Sequence, residues 1–413
     1  RRAFNEANSH PKGPVYVGFT ANALEGTAEM NIIPSRKVYD STPPNPEGIN
    51  EAASLLMGAR RPILMVGDRV SDDGAMEQAI ELSELMGLPV YQSRGAEVSF
   101  PTTHPQYLGI HSLRVARDRE SLKGYDVILT VGMDTFDELF YWGDVILSEN
   151  TRLIHLDSIP GRVGKTEPTE IGIISNCRVG LQQLLEDIGP RLKKSGLGNR
   201  LKEVTKQAAN IRREFENDAK LKWENTPISP ARMMYELSKA VPDNAIIVDD
   251  SVSNRGAVRH YFNGETRDDI RGVRGQSIGG GIGATIGTQC AFPNRPVFGV
   301  IGDGSAMMTI QGLWTAANDD IPCVFVICNN GMYRVLKVNF NIYQTEVLKE
   351  TEPAGENLLY SNFDTPFDIS EIAKGMGLNS ERITDPLEIA PAVNRALTAG
   401  KASVIDIVID GSL

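Results

Sequence analysis

Short runs of consecutive Val, Ile, Leu and Met alternate along this chain with longer stretches in which apolar residues recur every three or four positions. The first pattern predicts strands buried on both faces, and the second predicts helices that bury one face. From Ile49 the succession reads helix 49–58, strand Pro62–Val66, helix Ala75–Met86, strand Pro89–Gln92, strands Asp126–Val131 and Arg152–Leu156, and a helix near Val179–Ile188. A second succession has strands at Ala245–Val248, Val297–Ile301, Pro322–Cys328 and Ser403–Ile409. Strand and helix in turn predict parallel sheets with helices on both faces. The expected architecture is α/β, with two doubly wound parallel-sheet domains over 48–190 and 226–413. Ahead of them, 1–9 reads as the end of a helix and PKGPVYVGF at 11–19 as a turn and strand. One helix and one strand enclose no core, and the Pro- and Asn-rich stretch 25–47 is expected as a linker. Mixed charge at helical spacing makes 191–225 a solvated connecting helix rather than a binding patch.

The 413 residues include 42 Lys and Arg against 53 Asp and Glu, a net charge of −11, and no basic block counters that sign. A nucleic-acid partner is therefore not expected. No apolar run approaches the ~18 residues that suggest a membrane span. The cysteines, Cys177, Cys290, Cys323 and Cys328, form no CxxC pair, which speaks against a zinc ribbon or disulfide framework and suits a reducing, cytoplasmic setting. The chain opens on Arg1 without the succession of a signal peptide, and is expected to be a fragment or processed product.

The strongest chemical signal is PVFGVIGDGSAMMTIQGLWTAANDDIPCVFVICNNGMY. Strand 297–301 ends in Gly302-Asp303-Gly304, a helix is predicted from Ser305 to Asn318, and the next strand ends in Asn329-Asn330-Gly331. A right-handed βαβ crossover sets the carboxyl ends of both strands on one edge of the sheet, where Asp303 and Asn330 can meet. A carboxylate, an amide oxygen and a backbone carbonyl are hard donors suited to Mg²⁺, which commonly completes its octahedron with phosphate oxygens and water. Gly302 and Gly304 allow close approach, and the helix start at Ser305 directs N–H groups at negative charge. The plainer alternative is an Asp-capped turn and an unrelated Asn-Gly turn. The first strand of the 48–190 unit, by contrast, ends at Gly67-Asp68 without a GxGxxG, which gives little support to a dinucleotide there.

The GDG segment followed by Asn-Asn resembles the diphosphate-binding motif of thiamine diphosphate-dependent enzymes. GDGSAMMTIQGLWTAANDDIP in particular resembles the benzoylformate decarboxylase-like members of the 2-oxo acid decarboxylase and acetolactate synthase superfamily. The resemblance extends over nearly the whole chain. It implies that Asp303, the Asn330 side chain and the Met332 carbonyl hold Mg²⁺, with Gly302, Gly304, Ser305 and Tyr333 against the diphosphate. It implies that Val252 and Ser253, which follow a strand in IIVDDSVSN, donate to the same phosphates; otherwise they form an ordinary polar loop. In RGQSIGGGIGATIG, Ile278 stands where the family sets a bulky apolar side chain beneath the cofactor, the alternative being a core Ile. The Gln276 carbonyl would accept from the cofactor's amino group. Gly279, Gly283 and Gly287 share a helix face and read as a close-packing surface.

By the same resemblance the chain belongs to a carbon-carbon lyase that decarboxylates, or ligates after decarboxylation, a 2-oxo acid, assembled as a homotetramer built from two dimers. The carboxyl group that activates the cofactor would be a Glu of a pyrimidine-binding domain, supplied across a subunit contact. The segment 1–24 is the remnant of that third domain, and the rest is expected on a longer form of this chain or on a partner chain. The chain alone is thus expected to be incomplete and inactive. Pocket candidates within it are Ser229, where benzoylformate decarboxylases have a His, with Val335 and Leu336. Arg334 or Lys337 could face a substrate carboxylate, although exposed helical charge is the commoner role. The absence of a Trp-Gln pair after Asn-Asn weighs against acetolactate synthesis. Two alternatives stay open: an acetolactate synthase-like or acyl-CoA lyase relative with FAD or ADP in the central domain, and a non-catalytic nucleotide-binding regulatory subunit. His10, His104, His111, His155 and His260 show no ligand spacing, and His104 and His111 read as structural. Thr345–Phe363 reads as a mobile lid or surface excursion.

Overall fold

The computed structural model describes the chain apart from residues 32, 34–40, 96, 114–115, 135, 137–145, 193–196, 274 and 276 and the side chains of 117 and 197. The blocks of consecutive apolar residues form the strands of two sheets. In the first, β1 (Pro62–Val66), β2 (Val90–Gln92), β3 (Tyr107–Ile110), β4 (Val127–Val131), β5 (Arg152–Asp157) and β6 (Ile171–Ile174) run parallel in the order β3-β2-β1-β4-β5-β6. The second holds β7 (Ile246–Asp250), β8 (Ile270–Gly272), β9 (Val297–Gly302), β10 (Val324–Asn329), β11 (Asn379–Ile383) and β12 (Ser403–Val408). These too are parallel, in the order β11-β12-β10-β9-β7-β8.

A parallel sheet must be covered on both faces, and successive residues of a strand point to opposite ones. In β1, Leu64 and Val66 join the core under the helices Pro46–Gly58 and Cys177–Arg191, while Ile63 and Met65 join a second core with Leu122 and Ile128. In β10, Val324 and Val326 face the core with Met233 and Val393, while Phe325 and Ile327 face the one with Leu313 and Ile369. Helix starts follow local chemistry. Asn45 Oδ1 accepts from Glu47 N–H (2.9 Å) ahead of Pro46, and Ser229 Oγ accepts from Arg232 N–H (3.3 Å) ahead of Pro230.

Several expectations are corrected. Residues 11–20 form no strand, and Tyr16 and Phe19 lie exposed; a strand needs a ladder partner, and none is present among the described residues. The helix expected over Ser305–Asn318 is two helices, Asp303–Met308 and Gly312–Asn318, broken at Thr309. Gly279 is crowded, since a Cβ there would lie 2.7 Å from Met308 Cβ, but nothing lies within 4 Å of a Cβ at Gly283 or Gly287. The close-packing surface is therefore not seen within this chain. Thr345–Phe363 lies at the surface, with Leu359 and Tyr360 exposed, and is anchored at points: Gly355 N–H donates to Asn341 Oδ1 (2.6 Å), Ala354 N–H to Gln344 Oε1 (2.8 Å), and Asn362 bridges Met332.

The connecting helix, Leu197–Leu221, buries Val204, Ala208 and Ala219 and sends Arg212 to the carbonyls of Thr102 (2.9 Å) and His104 (3.2 Å). The two sheets are also joined directly. Arg267 reaches Asp72 (2.8 Å) and Glu97 (2.7 Å), and Thr102 and Gly264 exchange two hydrogen bonds of 2.9 Å. Residues following β1, β2, β4, β7 and β8, with the helix Arg334–Ile342, line one cavity of about 840 Å³; Gly302, Asp303, Gly304, Asn330, Met332 and Tyr333 are not among its lining residues.

Candidate functional site

The parallel register that pairs Gly302 with Cys328 leaves β9 and β10 ending side by side, so the two loop tips converge. Gly331 N–H donates to Asp303 Oδ2 (2.7 Å), and Gly304 N–H donates to Asp303 Oδ1 (2.8 Å). Asp303 is buried, and burial pushes its carboxyl up to about 6 against the opposing pull of amides from Gly304, Gly331 and Asn330. Among the described residues no Lys or Arg pairs with it. A buried carboxylate without a counter-cation, beside an Asn side chain and backbone carbonyls, fits a hard divalent ion. No cluster of three His, Cys, Asp or Glu is arranged for a metal among the described residues, and this donor set does not call for one, having a single carboxylate. Asn330 Oδ1 accepts from Met332 N–H (3.2 Å), which orders the turn carrying both. Gly304 lies under the Tyr333 ring: a Cβ there would meet Tyr333 Cε1 at 2.5 Å, and Tyr333 in turn meets Phe363 edge to face.

Val252 and Ser253 follow β7 and line the cavity, and Val252 holds φ +53°, a conformation costly for a β-branched residue. Ile278 is not a core residue. It is 40 % exposed and lines the same cavity, with Gly275 beside it at φ +75°. Arg334 and Val335 also line it. The Arg334 Nε–H donates to the Ser412 carbonyl (3.0 Å), and partial burial lowers its pKa.

Other candidates lie elsewhere. Ser229 is buried as a helix cap, with its hydroxyl oxygen taken up by the Arg232 N–H. Leu336 is half-exposed but outside the cavity wall, one position round the helix Arg334–Ile342 from Val335. Lys337 is buried rather than an exposed helical charge, with its Nζ 3.2 Å from Glu356. The Ser305 hydroxyl is engaged inside the protein, donating to Asp250 Oδ2 (2.6 Å) and accepting from Gly279 N–H (3.0 Å). Gln276 lies outside the described residues. His104 contacts Glu84 (3.3 Å), as a structural residue does, but His111 reaches the cavity wall.

Sequence reasoning missed Asp250 and the charged edge of the first sheet. Arg69, at the end of β1, donates to Asp157 (2.8 Å) at the end of β5 and to Asp134 (2.9 Å) beyond β4. Gly67 and Gly132 cross so closely there that a Cβ on Gly67 would lie 2.6 Å from the Gly132 carbonyl oxygen. The available signal was position: each of these residues ends or follows a strand on the edge where α/β sheets bind ligands.

Comparison with known proteins agrees with this arrangement. Residues 49–184 match the family model for the thiamine pyrophosphate enzyme central domain, and residues 256–407 match that for the C-terminal TPP (thiamine pyrophosphate, or diphosphate) binding domain. A probable acetolactate synthase large subunit of Methanococcus aeolicus is 28% identical, over 100% of this chain and 69% of its own length. Benzoylformate decarboxylase of Pseudomonas aeruginosa is 27% identical, over 98% of this chain and 72% of its own. Among solved structures, the thiamine diphosphate-dependent 4-hydroxybenzoylformate decarboxylase of Rhodococcus jostii superposes with a TM-score of 0.80 at 26% identity, covering 99% of this chain and 73% of that one. With both of these domains matched, the chain belongs to the thiamine pyrophosphate enzymes.

Proposed function

We propose that this chain provides the central and diphosphate-binding domains of an enzyme that uses thiamine diphosphate and Mg²⁺ to cleave the bond between the carbonyl carbon and the carboxylate of a 2-oxo acid. The observation that carries this reading is Asp303, a buried carboxylate lacking a basic partner among the described residues and fixed by the Gly331 amide beside Asn330. Asp303, the Asn330 side chain and the Met332 carbonyl would hold the metal. Val252, Ser253, Gly302 and Gly304 would receive the diphosphate, with Tyr333 closing over Gly304. When bound, the cofactor supplies the electron sink that cleavage beside a carbonyl needs. The chain's own part is binding, orientation and exclusion of water. Ile278 presents an apolar side chain into the cavity, Val335 and Val338 form an apolar wall, and Arg334 sets a cation at the rim where a substrate carboxylate can be met. The benzoylformate decarboxylase relative supports decarboxylation as the reaction class.

Titration of the full-length protein, pyrimidine-binding domain included, with thiamine diphosphate tests the proposal. Saturable binding that disappears when Mg²⁺ is chelated is expected, together with carbon dioxide release from a 2-oxo acid by the full-length protein. Failure to bind the cofactor with Mg²⁺ present would overturn it. A second reading, an acetolactate synthase-like or acyl-CoA lyase enzyme with FAD or ADP in the central domain, is favoured by one feature. The cavity continues along the carboxyl edge of the first sheet past β1 and β4, where the strand order reverses. Absorbance near ~450 nm in the purified protein would mark a flavin.

A further inference from the structure

We propose that Asp250 is a positioning residue that locks together the three segments converging on the cofactor site; the inference rests on the thiamine diphosphate reading above. Asp250 ends β7 and is buried. One of its oxygens, Oδ2, accepts from Gly281 N–H (2.9 Å), Gly279 N–H (3.2 Å) and Ser305 Oγ–H (2.6 Å). Each partner adjoins a residue of the proposed site. Gly279 follows Ile278, Ser305 stands two residues after Asp303, and Asp250 itself stands two residues before Val252. A second layer reinforces the first: Ser305 Oγ accepts from Gly279 N–H (3.0 Å), and Thr309 Oγ1 donates to the Gly279 carbonyl (2.7 Å).

The neighbouring Asp249 shows the contrast. Its carboxylate accepts from Ser251 N–H (3.0 Å), Ser251 Oγ–H (2.6 Å) and Arg255 Nε–H (3.3 Å), all within the loop that follows β7. Asp250 reaches across the sheet edge to two other segments. Both glycines are required by this contact, since a Cβ at Gly281 would stand 2.6 Å from Asp250 Cβ and Gly279 holds φ +94°. Charge-assisted bonds from a buried carboxylate are short, directional and costly to break, which suits a part whose task is to hold a constellation still. The Ser305 hydroxyl, on this view, serves Asp250 rather than the diphosphate.

The test is calorimetric titration of the full-length protein, pyrimidine-binding domain included, with magnesium thiamine diphosphate and, separately, with magnesium pyrophosphate. Melting temperature is recorded for every variant. Asp250→Ala is expected to raise Kd for both probes by about tenfold or more. Asp250→Asn can set its amide oxygen where Oδ2 stands and is expected to recover most of that loss, with a melting temperature close to the parent's. A purely structural role would lower the melting temperature and leave Kd of the folded protein unchanged, and that result overturns the proposal. Should Asp250→Ala fail to fold, Asp250→Glu decides, because it keeps the charge but moves the anchor by one methylene. Weakened binding by the folded Glu variant supports positioning, and parental Kd overturns it. If the parent chain binds neither probe, the cofactor reading itself fails, and the parental titration tells the two failures apart.

Discussion

Asp303 concentrates the electrostatic cost of the site. Burial raises its carboxyl to about 6, whereas the same group in an unfolded chain titrates near ~3.9. The folded state therefore holds this proton more tightly, and without metal the group's contribution to stability is lost as pH rises from the unfolded value through about 6. A divalent cation reverses the preference by binding only the ionised form. Added Mg²⁺ is expected to raise the melting temperature clearly at pH 7.5 and little at pH 5, a comparison thermal denaturation with and without chelator can make. An equal Mg²⁺ effect at both values would count against Asp303 as the ligand. Individual residues were unevenly legible in the sequence. Asp303 and Asn330 stood out because two rare loop endings shared one spacing. Asp249 and Asp250 are the same letter twice, and only the pleat, which turns consecutive side chains to opposite faces, separates a local loop tie from a link between segments. Ser305 stands at a predicted helix start, and nothing in the sequence shows that Asp250 engages its hydroxyl.

At the scale of elements, strands with every position buried were the easiest to read. β1 has the expected bounds, and β7, β9, β10 and β12 lie within two residues of theirs. The strands without prediction are short or polar. β8 has three residues, and β11, Asn379–Ile383, carries Asn, Ser, Glu and Arg on its edge position and pairs only with β12. Such segments become strands because a neighbour offers a ladder, which no local pattern records. The break at Thr309 has the same origin: its hydroxyl is drawn to the Gly279 carbonyl, a tertiary partner. The crossing of Gly67 with Gly132 and Met133 yields a prediction at this scale. A Cβ on Gly67 would lie 2.5 Å from Met133 Cβ and 2.7 Å from Met133 Cα, so the obstacle is largely backbone and cannot rotate away. Gly67→Ala is expected to destabilise the chain by about 1–3 kcal/mol, read from urea denaturation. A change under about 0.5 kcal/mol, the usual range for an unremarkable surface position, would mean that the strands separate there freely.

For the whole molecule, the contact between the two sheets decides the shape of the cavity, and much of that contact is ionic. Arg267 holds Asp72 and the buried Glu97 from the opposite domain, and Arg119 donates to Glu346 (2.7 Å) from the first domain to the last. Arg267→Ala is expected to lower stability by about 1 kcal/mol and to increase proteolytic cleavage between the domains. Unchanged protease resistance would place the domain contact elsewhere. The walls of the shared hollow come from both sheet domains: Ile278 and Val252 from the second, Arg94 and Met133 from the first. Each layer of the polypeptide thus supplies one side of the hollow, and a molecule seated there meets both. Exchanging Arg94 or Met133 therefore reshapes one bank of the hollow while Ile278 and Val252 on the opposite bank stay as they are.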